Sequence, residues 1–298
     1  MKLLPLISFV AFAGCGSKSI VPDEPTYGLV IPKANSEWRR EIIAGFQDAA
    51  DQVGMKISIS EYSDNSPKEI LAAASNLPPS EGAPICIVFT RKESIKDVAF
   101  KLARKGVDVI TIGEDDPDTP RIGHCGEASQ DLAYLWDIRV RQLRPRPRNA
   151  LMIFGDVPVN QRRISGSLYE KSRGWRRYRL RMRSVADASQ DDIKWADLVT
   201  PVGEDALAFM AGTSKPMIPV DGSAAAIDLV RGDRVPMVFI PNYYQMGLRA
   251  ARIAREDFVY GTIPNAIISM KYKEVVKETV KWHLEDRYRS APSVAKRK

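Results

Sequence analysis

The chain has 298 residues, of which 44% are apolar and 27% charged, and its net charge is +7. That balance excludes a disordered polymer, and the length fits one large or two modest domains. His124 and His283 are the only histidines, which leaves little material for histidine-based catalysis.

The chain opens on Lys2 and an apolar run over residues 3–14 that ends in small residues before Cys15. A charged start, an apolar middle and a small-residue end are the order of a secretory signal. The run is too short to span a bilayer as a helix. Phe12-Ala13-Gly14-Cys15 resembles the bacterial lipobox, in which the cut falls before a cysteine that then carries lipid. Cys15 is therefore the expected lipid attachment site; the alternative is an exported protein with a chance cysteine. Residues 16–26, with Ser17, Ser19, Pro22 and Pro25, read as a polar tether.

From residue 27 the pattern alternates. Residues 27–32 read as a buried strand, and 36–53 as a helix with Trp38, Ile42, Phe46, Ala49 and Val53 on one face and Gly54 as its stop. Strands follow at 55–62, 84–90 and 107–112, with helices at 66–76 and 93–105 between them. The second half repeats the rhythm. Strands are expected at 150–154, 178–185, 198–202, 216–220, 235–240 and 266–272. Helices are expected at 161–174, from 203 to 211, at 223–231 and 242–260, and finally at 273–284. Residues 290–298 read as a disordered tail. Near-continuous apolar strands alternating with helices predict α/β architecture, with parallel sheets covered on both faces.

Charge is uneven. Residues 139–183 hold thirteen arginines and Lys171 against Asp156 and Glu170, a net +12 that leaves about −5 elsewhere. This is read as a solvated basic face ahead of an anion-binding surface. Nucleic acid is not expected as a partner. Cys86 lies in an apolar strand and reads as a buried thiol; whether it pairs with Cys125 stays open.

Several segments together resemble the type I periplasmic sugar-binding proteins, the ribose-binding-like family. They are GLVIPKANSEWRREIIAGF at 28–46, GVDVITIGEDDPD at 106–118, RISG at 163–166, PVDGSAAAI at 219–227, PNYYQMGLRAA at 241–251 and MKYKEVVKETV at 270–280. The resemblance covers about 27–285. It implies two Rossmann-like lobes with parallel sheets, joined by a three-crossover hinge, with a solute held in the cleft between them. Carried over, the N-terminal lobe is 27–126 plus 241–269 and the C-terminal lobe 127–240 plus 270–285. The signal is 1–15, the tether 16–26 and the tail 286–298.

A sugar presents hydroxyls all round and apolar C–H faces, so such a cleft calls for planar donors, carboxylate acceptors and a stacking ring. Trp38 stands where the family places that ring, although it also fits the core stripe. Asn35 offers an amide, or caps the helix behind it. Arg163 gives a fork of donors. Asp221 accepts from hydroxyls, or shapes the turn before Gly222. Thr90, Arg91, Asp115 and Glu204 complete the candidate set by their place beyond strand ends. Three positions depart from the family. Gly113 replaces a usual acid, Pro241 a frequent glutamine, and Glu204-Asp205 an Asn-Asp pair. Fewer acceptors beside a basic edge would suit an acidic or phosphorylated solute.

The resemblance implies an extracytoplasmic solute-binding lipoprotein that serves an ABC importer. It would be a monomer and no enzyme, with no cofactor and no metal. Its partners would be a sugar or sugar acid, an ABC permease and the membrane reached through its lipid anchor. The alternatives are a sensing module for a chemoreceptor or kinase, and a family member that has lost transport.

Overall fold

The computed structural model describes residues 25–78, 82–175, 178–261 and 266–283. The signal, Cys15, all but the end of the tether and the tail lie outside the described residues. Thr26, assigned to the tether, is the first residue of β1 (Thr26–Pro32).

Sheet A is built from β1, β2 (Lys56–Tyr62), β3 (Ile85–Phe89), β4 (Val109–Gly113), β5 (Gly123–Glu127) and β10 (Ala266–Met270). Its order is β10-β5-β4-β3-β1-β2 and every pairing is parallel. Sheet B has β7 (Arg179–Ser184), β6 (Asn149–Phe154) and β8 (Leu198–Val202) as parallel neighbours. Isolated parallel bridges through Met217 and Val220 carry it on to β9 (Met237–Ile240). On the far side of β9, β11 (Lys273–Val276) adds one antiparallel strand. The two sheets are the cores of two lobes. The chain passes between them after β5, after β9 and after β10, which makes the three-crossover hinge.

Helix α1 (Glu37–Val53) turns Trp38, Ile42, Phe46 and Ala49 inward and stops at Gly54, whose φ of 74° favours a residue without Cβ. It packs on α9 (Tyr243–Tyr260) so closely that glycine is obligatory at the crossing. A Cβ on Gly45 would lie 2.0 Å from the Tyr244 carbonyl oxygen, and one on Gly247 would lie 2.0 Å from that of Ile42. Helices α2 (Pro67–Ser75) and α3 (Ile95–Ala103) share the cluster of Val30, Ile70, Ile87 and Val98 on sheet A. Helix α4 (Ser129–Gln142) belongs to sheet B, where the buried Trp136 indole donates to Thr200 Oγ1 at 2.8 Å. Helices α5 (Gln161–Trp175), α6 (Gln190–Trp195), α7 (Glu204–Phe209) and α8 (Ala224–Arg231) complete that lobe. The largest apolar cluster is continuous from Leu29 and Ile110 through Val157, Tyr243 and Tyr272 to Met152 and Phe154, so both lobes meet over buried surface.

Two stretches differ from the sequence reading. The helix expected over 273–284 is β11 followed by a single helical turn at 280–283; Val275 is buried opposite Val238, so edge pairing overrides the local helical pattern. The strand β5 and the helix α4 were not expected. The β5 sequence, Gly-His-Cys-Gly-Glu, has no apolar run, yet all five residues are buried between β4 and β10. The segment 216–220 makes bridges only. Cys86 and Cys125 are free, buried thiols, and burial pushes both up, Cys125 to about 12.

Candidate functional site: the cleft between the two sheets

In parallel sheets the carboxyl ends of strands hold ligands, because loops and helix starts gather there. Here those ends bring Ser36, Glu114, Glu127 and Tyr272 from sheet A to Asp156, Glu204, Asp221 and Tyr243 after the strands of sheet B. Their side chains fall into three groups.

The first group surrounds Asp115. Arg121 Nε and Nη2 donate to its two oxygens at 2.6 and 2.8 Å, a fully buried bidentate pair. Arg163 Nη2 stands 3.7 Å from Asp115 Oδ2. Thr111 Oγ1 lies 2.9 Å from His124 Nδ1 and 3.3 Å from Asp115 Oδ1. Burial alone would raise the Asp115 pKa; the Arg121 hydrogen bonds and the charges of His124, Arg121 and Arg163 outweigh it and hold the carboxyl below its ordinary value. Burial pushes His124 down to about 4 despite Asp115, so the imidazole is neutral at pH 7. Asp115 is thus a structural carboxylate whose best acceptor directions belong to Arg121.

The second group is Glu114 and Glu127. The carboxyl of Glu127 accepts from the Asn160 N–H at 2.7 Å and from Ser129 Oγ at 2.6 Å, both on Oε1. Its Oε2 makes no hydrogen bond, and neither does Glu114 Oε2, although both are buried. Burial, and then the Glu127 charge, push Glu114 up to about 8; burial pushes Glu127 up to about 7 against its hydrogen bonds and Arg163. Beside them the Tyr272 hydroxyl is also buried and unbonded, and after burial it is Glu127 that raises its pKa most.

The third group spans both walls. Trp38 and Tyr243 pack with ring centroids 6.4 Å apart. Glu204 Oε1 crosses between lobes to accept from the Glu37 N–H at 2.9 Å. Asp221, 5% exposed, takes the Ser223 hydroxyl and N–H; burial first, with the Glu204 charge adding, lifts it to about 6.

Gly113 has a physical reason. Its φ is 86°, and a Cβ there would lie 2.5 Å from Pro158 Cβ. The loop 155–160 occupies the space in front of it, held also by Gly203, whose Cβ would meet Val157 Cγ1 at 2.3 Å. Asp205 anchors the same loop by accepting from the Asp156 N–H at 2.8 Å. Glu114, the next residue, is the first buried carboxyl at this strand end.

The structure brings Trp38, Asp115, Arg163, Glu204 and Asp221 toward the cleft. Thr90 donates to Asn65 Oδ1 at 2.9 Å, and Arg91 Nε lies 3.5 Å from Asp156 at the exposed rim. Asn65 Nδ2 also reaches Asp156, at 3.2 Å, so these rim residues tie the two lobes together. Asn35 stands apart: it is exposed and accepts from Arg40 at 3.3 Å, while Ser36 takes the N-cap position. Arg163 acts on Asp115 and Glu127, while Glu204 acts on Asp221. Glu114, Glu127, Tyr243 and Tyr272 were not singled out from the sequence. Their signal is position after a strand, legible at Glu114 and Tyr243 within the motifs quoted above and hidden at Glu127 with β5.

No protein-family profile matches the chain, and no curated protein matches it by sequence. Solved structures do. A glucose-galactose binding protein from Geobacillus stearothermophilus is 16% identical, with a TM-score of 0.71 over 86% of this chain and 98% of its own. A solute-binding protein of an ABC transporter from Clostridium phytofermentas, solved with L-rhamnose, is 11% identical, with a TM-score of 0.70 over 88% and 99%. A LacI-type transcriptional regulator from Bacteroides fragilis is 11% identical, with a TM-score of 0.70 over 87% and 99%. The fold is that of the type I periplasmic binding proteins.

Proposed function

We propose that this chain is an extracytoplasmic solute-binding lipoprotein, anchored through Cys15, that captures a small polyhydroxylated molecule and delivers it to an ABC importer. The lobes would be 27–126 plus 241–269 and 127–240 plus 270–285, closing on the solute about the three crossings. The observation that carries this reading is the set of unbonded, buried polar atoms at the strand ends: Ser36 Oγ, Glu114 Oε2, Glu127 Oε2 and Tyr272 Oη. Leaving such a group without a partner costs about 1–3 kcal/mol, and a ring of hydroxyls removes that cost at several atoms at once. Trp38 and Tyr243 supply an apolar face for the C–H side of the molecule. Asp221 and Glu204 are acceptors on the opposite wall, and Arg163 is the donor fork. The solved structures with this fold that bind sugars support the reading.

The test is isothermal titration of the purified chain with neutral hexoses, pentoses and inositols. Binding of one of them, weakened at least tenfold in Trp38→Ala and in Asp221→Ala, is the expected result. No heat from these sugars, from amino sugars or from uronates overturns the reading. It would instead favour a family member that has lost its ligand, a rival that draws on Pro158 filling the space before Gly113.

A further inference from the structure

The charges of the cleft do not balance. Asp115 is matched by Arg121 within its own buried pair, and Arg91 is matched by Asp156 at the rim. What remains is Glu114 and Glu127 on one side and Glu204 and Asp221 on the other, with Arg163 as the facing cation. Tyr243 stands between the two sides, since Asp221, Glu127 and Glu204 all act on its hydroxyl. Acidity alone would be a weak sign. Here it coincides with free hydrogen-bonding capacity: the Tyr272 hydroxyl, in a residue 7% exposed, and the Oε2 atoms of Glu114 and Glu127, in residues 3% and 4% exposed, make no hydrogen bond. A buried carboxyl with an unused oxygen is the strongest acceptor available to an ammonium donor, and low water content strengthens that attraction.

We infer that the solute is a hydroxylated amine, such as an amino sugar or a ring-nitrogen sugar analogue, with its protonated nitrogen seated between Glu114 and Glu127 and its hydroxyls on Asp221, Tyr272 and Arg163. The inference rests on the binding function proposed above and narrows it to a charge class. It also explains why an acid is buried here without a basic partner of its own. An anionic solute would meet these carboxyls, with Arg163 as the compensating cation among the described residues.

The experiment is titration of the whole folded chain at pH 7 with matched probes. D-glucosamine, D-galactosamine, D-mannosamine and 1-deoxynojirimycin are each compared with the neutral parent sugar, and D-glucuronate and D-galacturonate serve as the anionic arm. At least one amine is expected to bind ten times more tightly than its parent, with the uronates weakest. In Glu114→Gln combined with Glu127→Gln that ratio is expected to collapse towards one, with thermal melting confirming that the variant is folded. A second measurement needs no variant. At pH 5.5 the amine stays charged but must displace protons that Glu114 and Glu127 hold more firmly than at pH 7, so the wild-type ratio is expected to shrink. A neutral sugar or a uronate binding as tightly as every amine overturns this inference and leaves the binding function standing. Silence from all probes overturns both.

Discussion

Glu114 and Asp115 are neighbours in sequence, and both are buried at the end of β4, yet the protein treats them in opposite ways. Asp115 receives two guanidinium bonds and stays ionised. Glu114 keeps an unused oxygen and a raised pKa. The difference lies in which side of the strand end each residue meets. Asp115 turns back towards Thr111, His124 and Arg121, all within the same 111–124 segment, and closes a local network. Glu114 meets the charges of Glu127, Glu93 and Asp115 and the N–H of Gln161. The first arrangement holds a fold together; the second leaves hydrogen-bonding capacity unused.

The largest expected effect tests the satisfied half. Arg121→Ala removes the bidentate partner of buried Asp115 and leaves it only the longer contact to Arg163 at 3.7 Å, which costs about 3 kcal/mol. Urea unfolding of this variant is expected to show most of the stability gone. A loss under 1 kcal/mol would mean that water reaches Asp115.

Next come the opposite pH dependences. Asp115 and His124 have lowered pKa values, so their contributions are present above the unfolded values of 3.8 and 6.5 and are lost as pH falls, His124 through about 4. Glu114 and Glu127 are raised, so theirs are present below 4.5 and are lost as pH climbs through about 7 to 8. Between about pH 4.5 and 8 the two glutamates outweigh His124, so stability is expected to peak at mildly acid pH and to fall through neutrality. Glu114→Gln should flatten the alkaline limb, gaining on the order of 2 kcal/mol over wild type at pH 9 in chemical unfolding. An unchanged alkaline limb would break the contrast between the neighbours.

Gly126 sharpens it from the packing side. A Cβ there would lie 2.5 Å from His124 Nε2, and the imidazole is locked by Thr111. Gly126→Ala is expected to cost about 1–3 kcal/mol by overpacking, read as a lower melting temperature. The smallest effect belongs to the rim. Asp156→Ala removes the ties to Asn65 and Arg91, all solvent-exposed, so stability should change by less than about 1 kcal/mol. Small-angle scattering should nonetheless record a larger radius of gyration, because these contacts join the lobes.

How much of this was legible in the sequence follows burial pattern. Strands with apolar runs, such as Ile85–Phe89, and helices with a clean stripe, such as Glu37–Val53, were readable because their periodicity reflects one buried face. Strand β5 was not, because a strand covered on every side by neighbours can carry Gly, His and Glu when partners at a distance in sequence satisfy them. Missing β5 hid Glu127 as well. Gly113 looked like a loss from the sequence; only the position of Pro158 shows why no side chain fits. The net charge of the 139–183 stretch was readable, but not its geometry. Arg179 and Arg181 lie over the Trp195 ring on the edge of sheet B, and Arg181 and Arg183 pair with Asp192, away from the cleft.

The close crossing of α1 and α9, Gly45 against Tyr244 and Gly247 against Ile42, has a mechanical consequence. It welds the helix that begins at Ser36 and Trp38 to the one that begins at Tyr243, so those three side chains move as one block. Trp38 and Tyr243 are thereby fixed on one lobe beside Glu114 and Glu127 at the ends of β4 and β5, while Glu204 and Asp221 are carried by the other.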